Sequence, residues 1–296
     1  MFGTLFYPGN LSFRRMLSVL IVNWNTCNLL RACLASLREH PFSGGQEVIV
    51  VDNASTDGSA QMVRSEFPEV RLVPNSVNRG YAAGNNDAFE IAQSDWLLTL
   101  NPDTEMRERT LDAAVDALSR FSDHAATGVR QIGNDGETQH SVRAFPTALN
   151  MILATVGFGG AYRLDSFDYA REGDAPQPMG TFLLFRRSAL RDLGDDRRPF
   201  DEGFPIFFNE VDLLYRLAKA GWPAMYTPAA QIRHHGGEST RQVRPAMIWE
   251  SHRSLLRYLR KHGGTFYRTF GFLLFTPLVL AAAFVRARGY HAGFRP

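Results

Sequence analysis

Four short apolar runs, each followed by a polar segment and then by a stretch of helical periodicity, constrain this chain more than any other feature. Leu17–Val22 runs into Asn23-Trp24-Asn25, Glu47–Val51 into Asp52-Asn53-Ala54-Ser55-Thr56-Asp57-Gly58-Ser59, Val70–Val73 into Pro74-Asn75, and Asp95–Leu100 into Asn101-Pro102-Asp103-Thr104. Leu29, Leu30, Cys33, Leu34 and Leu37 recur at helical spacing, and residues 80–93 form a further helical stretch. Continuous apolar strands alternating with helices predict a parallel sheet covered on both faces, hence an α/β fold for residues 17–120. In such a sheet the loops beyond the carboxyl ends of the strands share one edge, and ligands bind there. The pattern alone therefore brings Asn25, Asp52 and Asp103 towards a common edge.

Composition narrows the class. At 45% hydrophobic and 21% charged residues the chain is an ordinary folded protein, which excludes disorder, collagen-like repeats and a multi-span membrane protein. The two cysteines, Cys27 and Cys33, fall on one predicted helix where they cannot pair comfortably, so a reducing compartment fits. Residues 1–16 show no periodicity and no signal-peptide pattern, and read as an N-terminal extension.

Beyond residue 120 the pattern loosens. Gly133-Asn134-Asp135-Gly136 predicts a tight turn joining strands 126–132 and 138–143. Residues 145–178, with scattered Gly, Pro and aromatics, read as a long irregular region of the kind that admits a second substrate. Strand 181–186, helices 187–193 and 208–220, strands within 223–236 and a helix over 245–262 follow.

Three groups of residues could carry chemistry, and each also has a structural explanation. Asp103, at a strand end beside Asn101, is placed either to ligate a divalent cation or to cap the next helix. Glu210 and Asp212 lie off the apolar stripe Phe207, Val211, Leu214 and Ala218. They are either a general base or acids favoured by the helix dipole in a first turn. In His234-His235-Gly236-Gly237, followed by Ser239-Thr240, alternation on a strand lets one imidazole at most face a site.

Taken together and in order, these segments resemble family 2 glycosyltransferases, in particular the bacterial rhamnosyltransferase-like branch. The resemblance is carried by Ser18–Asn25, Val50–Ser59, Asn78-Arg-Gly-Tyr-Ala-Ala-Gly-Asn-Asn86 and Leu100–Thr104. It continues through Gly180–Arg187, Phe200-Asp201-Glu202, Asn209–Leu213 and His234–Gly237, and so covers about residues 17–262.

The resemblance implies a GT-A-like fold with a mostly parallel central sheet flanked by helices. It also implies an inverting, metal-dependent transfer of a sugar, with a tilt towards rhamnose, from a dTDP-, UDP- or GDP-linked donor to a glycan or lipid-linked acceptor. Asp52 would hold the nucleobase, with Asn25, Asn53, Asn78 and a Gly84-Asn85 turn around the nucleotide. Asn101-Pro102-Asp103 stands where the family has Asp-x-Asp, so Asp103 would bind Mg²⁺ or Mn²⁺, aided by His234. Glu210 takes the place of the catalytic Asp, with Asp212 as the alternative base. Asn101 and Asn209 stand where acids are usual, which keeps a catalytically impaired, nucleotide-sugar-binding scaffold in view. A sugar nucleotidyltransferase lacks support because no Gly-rich phosphate loop follows the first strand. No Gly-x-Gly-x-x-Gly indicates a dinucleotide enzyme.

The tail departs in character. Residues 251–296 hold eight of the 32 Lys and Arg and none of the 30 Asp and Glu, so the rest of the chain has an acidic excess. Within the tail, 271–285 is uncharged and apolar but interrupted by Pro277, too short for the ~20 residues that span a bilayer. Residues 263–296 therefore read as an amphipathic or apolar helical tail lying on a membrane surface, not a nucleic-acid arm. The alternative is a helix packed on the body or on another subunit. The expected location is cytoplasmic, peripheral on the inner face of the cell membrane.

Overall fold

The computed structural model describes residues 16–155, 158–236, 244–267 and 271–291. The extension before Met16, and Gly237, Ser239 and Thr240 of the proposed site loop, lie outside the described residues. The strands are β1 (Leu17–Asn23), β2 (Gln46–Asp52), β3 (Arg71–Pro74), β4 (Trp96–Leu100), β5 (Thr104–Met106) and β6 (Ala126–Ile132). They continue with β7 (Val142–Arg143), β8 (Gly173–Asp174), β9 (Gln177–Pro178), β10 (Phe182–Arg186) and β11 (Ala224–His234). The helices used below are α1 (Cys27–Glu39), α2 (Ser59–Glu66), α3 (Tyr81–Ile91), α4 (Thr110–Arg120), α5 (Ala148–Thr155), α6 (Gly160–Arg163), α7 (Arg187–Leu193) and α8 (Asn209–Lys219). Arg244–His262 is α9, Gly264–Phe266 is α10 and Phe272–His291 is α11.

Among the described residues one nine-stranded sheet runs in the order β3-β2-β1-β4-β10-β6-β11-β5, with β8 beside β11. The half made of β3, β2, β1 and β4 is parallel, whereas β10 runs antiparallel to both β4 and β6. Every residue of β1 is buried, as a strand covered on both faces requires. Its alternate side chains feed two cores. Leu17, Val19 and Ile21 pack with α1 and α4, and Leu20 and Val22 pack with α3, α7 and α8. The periodicity read for α1 holds, with Leu30, Cys33, Leu34 and Leu37 buried and both cysteines free.

Two expectations change. The predicted hairpin 126–143 is reduced to one bridge, Ile132 with Thr138, because β6 lies between β10 and β11; Val142–Arg143 instead pairs with Gln177–Pro178. The Gly84-Asn85 turn is the second turn of α3. A Cβ at Gly84 would stand 2.8 Å from Val22 Cγ1, so the glycine lets this helix lie close on β1.

The tail helix α11 has one side packed on the body and another exposed. Phe275 and Val279 join a core with Phe204, Val211, Leu255, Tyr258, Leu259 and Tyr267, so one face packs on α9 and α8. Leu273, Leu278, Phe284 and Val285 are 71%, 64%, 48% and 68% exposed on the rest of its surface. No helix among the described residues is long and apolar enough to cross a membrane.

Candidate active site

The carboxyl ends of β1, β2 and β4 open onto a cavity of about 430 Å³. Its walls come from Val22, Trp24 and Asn53, from Asn78, Gly80 and Tyr81 at the start of α3, and from Asn101, Pro102 and Asp103 after β4. Met179, Gly180 and Thr181 before β10, Ile206, Phe207 and Glu210 around the start of α8, His234 at the end of β11, and Met247 of α9 complete it.

Strand register builds one corner. β5 pairs antiparallel with β11 so that His234 lies opposite Thr104, which places Asp103 beside the imidazole. His234 Nε2 is 3.6 Å from Asp103 Oδ2, and both residues are buried. The His235 N–H donates to the Asp103 carbonyl at 3.0 Å, while the His235 ring turns the other way, to Glu105 Oε1 at 2.6 Å. This is the alternation expected of adjacent strand residues. The Asp103 carboxylate is a hard oxygen donor that suits Mg²⁺ or Mn²⁺, and the imidazole nitrogen beside it favours a transition ion such as Mn²⁺ over Mg²⁺. No group of three acidic, His or Cys side chains among the described residues could hold a metal alone. An ion here would depend on a ligand's oxygens and water for its remaining positions, as Mg²⁺ commonly does with phosphates.

The facing wall is the first turn of α8. Phe208, which precedes it, adopts a left-handed φ of 66°, a conformation that costs a bulky residue about 1–3 kcal/mol. The turn is held by the Asp212 N–H donating to the Phe208 carbonyl at 2.9 Å and by Asn209 Nδ2 donating to the Ile206 carbonyl at 2.6 Å. Asn209 thus serves the turn itself. Glu210 projects into the cavity across Gly180, where an added Cβ would lie 3.2 Å from its Cγ. Burial raises the Glu210 carboxyl above its ordinary value, opposed by the N–H groups of Glu210 and Val211 and by the charge of Arg143. Burial likewise raises the Tyr81 phenol, whose hydroxyl donates to the Gly180 carbonyl at 3.5 Å, so it stays neutral near pH 7.

The structure brings Asn53, Asn78, Asn101, Asp103, Glu210 and His234 to one cavity. Asn53 donates from Nδ2 to the Gly80 carbonyl at 2.9 Å and accepts from Asn75 at 3.0 Å, joining two loops of the wall. Asn78 accepts from the Gly80 N–H at 2.9 Å, and the Pro205 carbonyl accepts from the Tyr81 and Ala82 N–H groups. Gly80 is needed there: its φ is +86°, and a Cβ would fall 2.7 Å from the Pro205 oxygen.

The other predicted residues lie off the cavity wall. Asp52 is buried and accepts from Asn23 Nδ2 at 2.9 Å and from the Ser55 N–H at 3.0 Å, shaping the turn after β2. Asn25 clasps the same turn, accepting from the Thr56 N–H at 2.8 Å. Asn85 donates to the Tyr81 carbonyl within α3 at 2.9 Å. Asp212 is fully buried on another face of α8, with Arg216 Nε, Lys261 Nζ and His262 Nε2 each 2.7 Å from its carboxylate. It fastens α9 to α8 and is not among the residues that line the cavity. Trp24, Tyr81, Gly180 and Met247 are wall residues that the motif reading did not single out. The helical pattern of 245–262 predicts that Met247 belongs to a helix but gives no sign that this helix crosses the site.

Residues 18–194 match the model of the family described as Glycosyl transferase family 2. The chain is 31% identical over 272 residues to the N-acetylglucosaminyl-diphospho-decaprenol L-rhamnosyltransferase of Mycobacterium tuberculosis, covering 84% of this chain and 86% of that protein. Its fold is similar to that of the mannosyltransferase PcManGT from Pyrobaculum calidifontis, solved in complex with GDP-Man and Mn²⁺. The TM-score is 0.60 at 19% identity, over 96% of this chain and 77% of that one. It is also similar to S. aureus TarS 1-349, with a TM-score of 0.53 at 19% identity, over 93% of this chain and 79% of that one.

Proposed function

The chain belongs to glycosyl transferase family 2 and is a glycosyltransferase, and from that premise we propose how its cavity divides the work. The donor is a nucleoside-diphosphate sugar lying along the carboxyl edge of the sheet, its nucleotide beside Asn53 and Asn78 and its diphosphate towards Asn101, Asp103 and His234. Asp52, Asn25, Gly84 and Asn85 act one layer behind, by fixing the loops and the α3–β1 approach that form the nucleotide wall. Asp103 and His234 would hold a divalent cation, Mg²⁺ or Mn²⁺, which when bound would supply Lewis acidity towards the leaving diphosphate.

Glu210 is the general base. Its carboxylate takes the proton of the acceptor hydroxyl as that oxygen attacks the anomeric carbon, and the nucleoside diphosphate leaves from the opposite face. The single displacement inverts the anomeric centre. A base of this kind contributes ~10²–10⁴-fold. The observation that carries the reading is that Glu210 and the Asp103–His234 pair share one cavity, with the Glu210 carboxyl raised by burial and so a stronger base than an exposed glutamate.

The rhamnosyl specificity of the M. tuberculosis relative, over most of both chains, supports L-rhamnose as the sugar and a polyprenyl-diphosphate-linked glycan as the acceptor. The exposed apolar side of α11 would then keep the enzyme at the cytoplasmic face of the membrane that holds such an acceptor.

Calorimetry with dTDP-, UDP- and GDP-sugars, with Mn²⁺, Mg²⁺ or a chelator, tests the donor assignment. One donor class should bind, more tightly with the cation, and Asp103→Ala should abolish the gain from the cation. A gain from the cation in Asp103→Ala as large as that of wild type would remove Asp103 from the site.

A further inference from the structure

Gln139 touches the predicted metal corner only through His234. Its Oε1 lies 2.7 Å from His234 Nδ1, and its Nε2 donates to the His234 carbonyl at 3.3 Å. Its own N–H donates to the Gln131 carbonyl on β6 at 2.8 Å, which anchors the residue. Asn134 Nδ2, from the same turn, donates to the His235 carbonyl at 3.4 Å.

These contacts settle a question of protons by hydrogen-bond logic. A backbone carbonyl only accepts, so the contact with it fixes the amide NH₂ of Gln139 on that side and turns Oε1 towards the ring. Oε1 also only accepts, so His234 Nδ1 must be the nitrogen that carries hydrogen. In the neutral ring Nε2 then keeps its lone pair, and that atom is the one 3.6 Å from Asp103 Oδ2. A metal-binding imidazole needs this arrangement, with one nitrogen bare towards the ion and the other held by an outer partner.

We propose that Gln139 is a positioning residue that sets the tautomer and the ring plane of His234, so that Nε2 faces the diphosphate end of the cavity. The proposal rests on the reading that Asp103 and His234 hold a divalent cation. It adds a residue from the 133–140 turn, outside the cavity wall, to the machinery of the site.

The test uses the full chain labelled with ¹⁵N in histidine, with the His234 signals identified by their loss in His234→Ala. Wild type should show hydrogen on Nδ1 and a bare Nε2, and Gln139→Leu should show a mixture of tautomers. Mn²⁺ affinity, read from the free-ion resonance with and without dTDP, should fall ~10–100-fold in Gln139→Leu, the usual range for loss of such an outer partner. Gln139→Glu keeps an acceptor at Nδ1 but loses the donor to the His234 carbonyl, and should restore both readouts. If Gln139→Leu and Gln139→Glu lose affinity equally, the residue only holds the chain and the proposal is overturned. Unchanged Mn²⁺ affinity in Gln139→Leu, with weakened binding in His234→Ala, would overturn it while leaving the metal reading intact. Unchanged affinity in His234→Ala and Asp103→Ala as well would overturn both.

Discussion

Glu210 lies against the backbone of Gly180: a methyl group there would stand 3.2 Å from Glu210 Cγ, 3.3 Å from Cδ and 3.5 Å from Cβ. The glycine fixes where the carboxylate rests, although it carries no functional group of its own. Gly180→Ala should displace the side chain by a few tenths of an ångström or more while leaving the nucleotide wall in place. Since ~1 Å of misplacement can cost about 10²-fold, we expect kcat to fall about 10–100-fold with little change in donor Kd. Steady-state kinetics beside calorimetry checks this, and unchanged kcat would show that Glu210 has no fixed resting place.

Asp212, two residues along the same helix, does a different job. Burial alone would raise its carboxyl, but hydrogen bonds from His262 and Lys261, with the charge and hydrogen bond of Arg216, hold it down at about 2. A carboxyl depressed on folding stabilises the native state above its unfolded value of about 3.9, and that contribution is lost as pH falls towards about 2. Asp212→Asn should therefore cost roughly 2–3 kcal/mol near pH 7. The gap to wild type should close in urea titrations between about pH 4 and about pH 2, and kcat of the folded variant should persist.

The contrast between these two acids shows what the sequence could tell and what it could not. Strands β1, β2 and β4 were legible because buried parallel strands are continuous apolar runs, and their polar ends marked the edge that holds the cavity. Asp103 and His234 could be named, but their meeting depends on the β5–β11 register, which is non-local. Residues two apart on a helix point ~200° apart, so Glu210 and Asp212 could not both face the cavity. Choosing between them required the position of α9, whose Lys261 and His262 claim Asp212. Gly84-Asn85-Asn86 lies inside the helical stretch read for 80–93, and the close approach of Gly84 to Val22, which the sequence does not show, explains the glycine there. Asp52 and Asp103 look alike at their strand ends, but the first is enclosed by Asn23 and Ser55.

The tail offers a separate test because its two faces should respond differently. Leu278→Asp with Val285→Asp alters exposed positions and should leave stability within about 0.5 kcal/mol. Cosedimentation with vesicles containing anionic lipid should be lost in the double variant and should weaken for wild type in high salt. Phe275→Ala removes a side chain that is 6% exposed, and should cost about 3–5 kcal/mol in urea unfolding. Vesicle binding that survives the double aspartate variant would place the membrane contact elsewhere.

The most direct test of the account is Glu210→Gln, with donor Kd measured by calorimetry and nucleoside diphosphate release followed with a polyprenyl-diphosphate-linked acceptor. The account predicts a donor Kd like that of wild type and turnover lowered ~10²–10⁴-fold. In wild type, kcat should fall as pH drops through the Glu210 pKa, which burial places above the ordinary glutamate value, and this limb should be absent from the variant's residual rate. Wild-type turnover in Glu210→Gln, with the same acid limb, would contradict the assignment of the base.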